Sequence, residues 1–86
     1  MSETDEARRK RLVMRSMRRG IKEMDLILSA YATDRLGAMD GAALTLYDAL
    51  LSENDHDLYE WVTGQGAAPA RYTDLIGDIS THAEAR

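Results

Sequence analysis

Cysteine is absent from this chain, which excludes disulfides, cysteine-ligated zinc, iron–sulfur clusters and thiol nucleophiles. Phenylalanine is absent too, valine and isoleucine are few, and no stretch alternates apolar with polar residues, so strands have little support. The two histidines, His56 and His82, stand far apart with no partner at metal-ligand spacing, and no metal site is expected. No G-x-S-x-G or equivalent nucleophile motif occurs, and no catalytic residue is assigned. No run approaches the ~20 apolar residues of a membrane span. The charged segment from Met1 to Arg11 has no apolar h-region, so the expected location is cytoplasmic. At 86 residues the chain suits one domain, with 1–7 and 81–86 expected to fray, and is too short for a doubly wound dinucleotide-binding fold.

What is present is charge, unevenly spread. Residues 1–23 carry eight bases against four acids, whereas residues 24–86 carry three bases against eleven acids. One reading is a basic helix lying beside an acidic body and steadied by it. The other is a nucleic-acid-binding module built on Arg8 to Arg19, which would have to overcome the repulsion of the nearby acids.

Helical spacing recurs along the chain and predicts an all-α, compact bundle of five short helices. The first runs from about Glu6 to Arg19 and stops at Gly20, a residue able to take the left-handed conformation that ends helices. The second runs from about Ile21 to Leu36, with Met24, Ile27, Leu28 and Tyr31 on one stripe and Gly37 as its stop. Asp40 caps the third, whose apolar residues are Leu44, Tyr47, Leu50 and Leu51. Asn54 or Asp55 caps the fourth, with Leu58, Trp61 and Val62 facing inward. Gly64 and Gly66 close that helix, so the Gly64-Gln65-Gly66 run is a helix stop rather than a phosphate loop. Pro69 opens the fifth, which carries Tyr72, Leu75, Ile76 and Ile79. His56, between Asp55 and Asp57, reads as an exposed helix-start residue, and Tyr47 and Trp61 read as core anchors.

One junction stands out. Arg18-Arg19-Gly20-Ile21-Lys22-Glu23 breaks two helical patterns and gathers Arg19, Gly20 and Glu23 at an elbow. Glycine there allows close approach of another group, and Arg19 offers a planar fork of donors. A purely structural reading makes this a corner closed by a local Arg19–Glu23 pair. A functional reading makes it a surface for an outside partner, with Glu23 either bracing Arg19 or pairing across the interface.

The segment from Arg18 to Asp25 resembles the signature of the SdhE-type assembly factors of succinate dehydrogenase, the small flavinator proteins called succinate dehydrogenase assembly factor 2 in mitochondria. Arg11-Leu12-x-x-Arg15-Ser16 upstream also fits, as does the block from Leu50-Leu51 through Asp55-x-Asp57-Leu58-Tyr59-x-Trp61-Val62. The likeness covers roughly residues 8–79. His56 stands where the family often has proline, and the stretch from Ser29 to Gly41 is richer in alanine and glycine than is usual. The resemblance implies a protein without enzymatic activity that binds the flavoprotein subunit of succinate dehydrogenase, and of fumarate reductase as a further candidate. By this resemblance it would promote covalent FAD attachment there and bind no cofactor tightly itself. It also implies that Arg19, Gly20 and Glu23 contact that partner, with Arg18 and Asp25 as neighbours, and that neither nucleic acid nor membrane is engaged.

Overall fold

Helices begin where the chain supplies an acceptor for their free N–H groups. In the computed structural model, which describes residues 3–85, Thr4 Oγ1 accepts from the Ala7 amide at 3.1 Å and opens α1 (Asp5–Ser16). Asp40 accepts from the Ala43 amide at 2.8 Å and opens α3 (Gly41–Leu51). Asn54 accepts from the His56 amide at 2.8 Å and opens α4 (Asp55–Val62). The two remaining helices, α2 (Lys22–Arg35) and α5 (Thr73–Glu84), start without a side-chain cap, and acids in their first turns complement the helix dipole. Single 3-10 turns follow α2 (Leu36–Ala38) and precede α5 (Ala70–Tyr72). Five α-helices and no strand are found among the described residues, as the spacing predicts.

Several boundaries differ from the sequence reading. The first helix stops at Ser16, short of the predicted Arg19. Met17 is extended, and the left-handed residue beyond it is Arg18, at φ 57°, rather than Gly20. Pro69 introduces the 3-10 turn, and α5 begins only at Thr73. Of the segments expected to fray, residues 5–7 are helical, and α5 continues through Glu84 with His82 buried; residues 1, 2 and 86 lie outside the described ones.

The second helix turns back along the first. Ser29 Oγ donates to the Ser16 carbonyl at 3.3 Å, and Arg9 near the other end reaches the carbonyls of Leu36 and Met39. Between this hairpin and α3–α5 lies one core, with Leu12, Met24, Leu28, Leu44, Leu50, Leu58 and Ile79 fully buried. The radius of gyration, 12.2 Å, is that of a single compact domain of this length.

In the absence of phenylalanine, tyrosine fills the core. Tyr31, Tyr47 and Tyr72 are buried, and each hydroxyl has a partner, as a buried polar tip requires. Tyr31 donates to Asp78 at 2.6 Å and Tyr72 to Glu53 at 3.1 Å. Tyr47 lies 2.6 Å from Ser16 Oγ, whose own proton goes to the Leu12 carbonyl, so Tyr47 is the donor. Burial pushes the Tyr47 hydroxyl up to about 12, and burial with the Asp78 bond raises Tyr31 as well. Trp61 meets its predicted role only in part, packing against the core from its edge. It is half-buried, stacks on Tyr72 with ring centroids 6.1 Å apart, and lines a groove between α4 and α5. His82, placed by sequence in an end expected to fray, is buried with Nε2 2.7 Å from Asp34 Oδ2 and its ring edge-on to Tyr31.

Candidate docking site at the first elbow

Most arginines of the basic segment are committed within the chain. Arg8 donates to the Gly41 carbonyl and Thr45, and Arg9 to the Leu36 and Met39 carbonyls. Arg11 bridges Glu3 and Asp48, and Arg15 reaches the Asp48 carboxylate, the Asp48 carbonyl and Ser52. Hydrogen bonds from Arg11 hold the Glu3 and Asp48 carboxyls below the usual carboxylate range and raise the guanidinium in turn. Arg8, Arg11 and Arg15, spaced about one helical turn apart, fasten α1 to α3, while Arg9 ties α1 to the turn after α2.

Arg19 ends this series. Its Nε donates to Asp55 Oδ1 at 2.9 Å, and its other two nitrogens donate to the carbonyls of Arg15 and Leu51 at 3.0 Å each. Asp55 Oδ2 accepts from the Gly20 amide at 2.7 Å. One carboxylate, at the first position of α4, thus grips both the arginine and the glycine of the elbow. Both side chains are largely removed from water, Arg19 at 11% exposure and Asp55 at 17%. A Cβ at position 20 would stand 3.1 Å from Asp55 Oδ2, tighter than most real contacts. Glycine is needed here for close approach, not for a left-handed turn.

The five residues singled out by sequence therefore divide. Arg19 faces inward and is fully engaged by its own chain, so the predicted local Arg19–Glu23 pair does not form. Gly20 is exposed, with its amide bound to Asp55. Arg18 and Glu23 are exposed and make no hydrogen bond or ion pair among the described residues. Asp25 is half-buried and accepts from Ser29 Oγ at 3.1 Å. Lys22 is exposed beside Glu23 and equally unengaged among the described residues. Sequence reasoning missed Asp55 as a member of this site; it marked Asp55 only as an alternative cap for α4 and as the start of the second block of the resemblance. The arrangement presents a turn clasped by Asp55 with two cations and one anion pointing outward. His56 is exposed, as expected of a helix-start residue.

The groove between α4 and α5 is lined by Trp61 and small side chains such as Gly64, Ala68 and Gly77, and its one charged lining residue is Glu84. No helix among the described residues is long and apolar enough to cross a membrane.

Residues 10–83 match the family model described as the flavinator of succinate dehydrogenase. The mitochondrial succinate dehydrogenase assembly factor 2 of Candida glabrata is 46% identical over 63 residues, covering 73% of this chain and 41% of that protein. Its counterpart in Schizosaccharomyces japonicus is 44% identical over 70 residues, 81% of this chain and 49% of the other. That of Cryptococcus neoformans is 37% identical over 84 residues, 95% of this chain and 48% of the other. The chain spans about half the length of the curated relatives it matches.

Proposed function

Because the chain belongs to the family of flavinators of succinate dehydrogenase, we propose that it binds the flavoprotein subunit of that enzyme and promotes covalent FAD attachment there, as an assembly factor with no catalysis of its own. The observation that carries this reading is the elbow, where Asp55 locks Arg19 and Gly20 so that Arg18, Lys22 and Glu23 stand outward and unengaged. A docking surface needs pre-ordered groups that are free to pair with another molecule, because ordering them on binding would cost affinity. Arg19 supports that surface from behind, Gly20 keeps it low, and Asp25 stands at its edge.

Flavin attachment is chemistry of the cofactor and of the subunit that receives it. A helper accelerates it by favouring the partner conformer in which the reacting atoms are aligned. To do so it must bind that conformer more tightly than the others, since equal affinity shifts nothing. FAD is thus the partner's cargo and has no assigned seat on this chain. The fumarate reductase flavoprotein is a second candidate partner. The rival reading, nucleic-acid binding by the basic helix, is weakened because Arg8, Arg9, Arg11, Arg15 and Arg19 all donate to groups of their own chain.

Co-expression with a succinate dehydrogenase flavoprotein subunit tests the proposal, with flavin fluorescence that survives denaturation as the readout. Covalent flavin should rise with the wild-type chain and fall back with Glu23→Ala, while the helical circular dichroism of that variant stays unchanged. Equal flavin loading with and without the chain overturns the proposal. Steeply salt-dependent binding to nucleic acid in its place would favour the rival.

A further inference from the structure

The large apolar side chains left in water are not scattered. Met14 is 64% exposed, Met17 38% and Leu26 56%, and all three lie on the α1–α2 hairpin. A shallow depression joins Val13 and Met14 of α1 to Ala32 and Thr33 of α2. A second joins Leu26 and Ala30 to the same Thr33. The two depressions meet at Thr33 and form a strip along the outer face of the hairpin that is apolar and small at its centre, with Arg9 and Lys10 at one end and Asp34 at the other. Met17 carries it directly into the elbow, adjoining Arg18.

Around Met14 and Met17 the charge runs against that of the molecule. Residues 24–86 hold eleven acids against three bases. At the edges of the strip stand Arg18 and Lys22, unengaged among the described residues, and Lys10, whose partner Glu6 is 3.9 Å away with both side chains about four-fifths exposed. The other α1 arginines turn away towards α3 and the turn after α2. The acids nearby are Glu23 at the elbow, Glu6 paired with Lys10, and Asp34, which lines the far end of the second depression and is held by His82. Exposed methionines suit a binding face, because the unbranched, polarisable side chain adapts to a partner's shape. A contiguous apolar patch with a charged rim is also the kind of surface that marks protein interfaces.

We propose that the outer face of the α1–α2 hairpin, centred on Met14 and Met17 and flanked by Lys10, Arg18 and Lys22, is a second part of the docking surface. Its occupant is an apolar projection of the flavoprotein bordered by carboxylates. This rests on the function proposed above and extends it from the elbow along the hairpin. The methionines supply the area removed from water, and the three cations supply complementary charge that orients the approach.

The test is the affinity of the purified full chain for a purified succinate dehydrogenase flavoprotein subunit, at low and at high salt. Met14→Ser/Met17→Ser should weaken binding about tenfold or more at both salt concentrations, because it removes apolar area. Arg18→Glu/Lys22→Glu should weaken it chiefly at low salt and flatten its salt dependence. All four substituted side chains are exposed, and thermal melts of both variants should match the wild type; Met17→Ser alone provides a milder variant with the same expected direction. Wild-type binding by the methionine variants, while Glu23→Ala still binds poorly, overturns this inference and leaves the elbow reading standing. No binding by the wild-type chain overturns both. Capture of the wild-type chain by anionic lipid vesicles, lost in the methionine variants and with no flavoprotein bound, overturns the protein partner in favour of a membrane surface.

Discussion

Two sets of cations share the first two helices, and they have opposite fates. Arg8, Arg9, Arg11, Arg15 and Arg19 turn inward and end on carbonyls, hydroxyls and carboxylates of their own chain. Lys10, Arg18 and Lys22 turn outward, and the last two meet nothing among the described residues. Residue type does not decide between these outcomes, since Arg18 and Arg19 are neighbours in sequence. Position relative to the helical period and the backbone at the elbow decides it. Net basic charge is therefore a poor guide to binding, because most of the positive groups on α1 hold the fold together.

The sharpest way to break this comparison is Asp55→Ala. It strands the Arg19 guanidinium, 11% exposed, and frees the Gly20 amide, so unfolding free energy in urea should fall by about 3 kcal/mol. A loss under ~1 kcal/mol would place Arg19 with the outward set. The inward side can also be probed through Tyr47, which ties α3 to Ser16 of α1. Its hydroxyl is raised from 10.0 to about 12, so its contribution is complete below pH 10. From there to about pH 12 the unfolded chain ionises while the folded chain does not, and stability declines. Urea melts at pH 9 and pH 11.5 should differ by roughly 2 kcal/mol from this group, and Tyr47→Phe should remove that part of the difference. Smaller still, Arg15→Ala should lower stability by about 1 kcal/mol through loss of its Asp48 and Ser52 contacts. Arg18→Ala should stay within ~0.5 kcal/mol of the wild type in the same measurement. If Arg15 and Arg18 behave alike, the division fails.

Much of the fold is legible from local chemistry. Asp40 and Asn54 mark the starts of α3 and α4 because a cap acts over three residues. The stripe of Met24, Leu28 and Tyr31 fixes the buried face of α2 by period alone. The end of α1 is less legible. Gly20 carries the usual helix-stop signal, yet Arg18 takes the left-handed position, and the closeness required of Gly20 is set by Asp55, 35 positions away. Of the site, the sequence pattern marks the elbow but not its internal clasp, since no local spacing shows that the first residue of α4 reaches back to it. Trp61 misleads for a related reason. Its helical spacing is right for the core, and it packs against it and against Tyr72, but it stays half-buried and also lines the groove. His82 gave no signal at all, because its partner Asp34 lies on another helix.

The left-handed backbone at Arg18 has one more consequence. A side chain with a Cβ is held there against a bias of about 1 kcal/mol, and glycine would relieve it. On the docking surface proposed above, thermal hardiness and client recognition would pull this position in opposite directions. A directed-evolution campaign that sorts only on melting temperature would drift to glycine at this codon, and by that proposal would return a sturdier domain with a weaker grip on its partner.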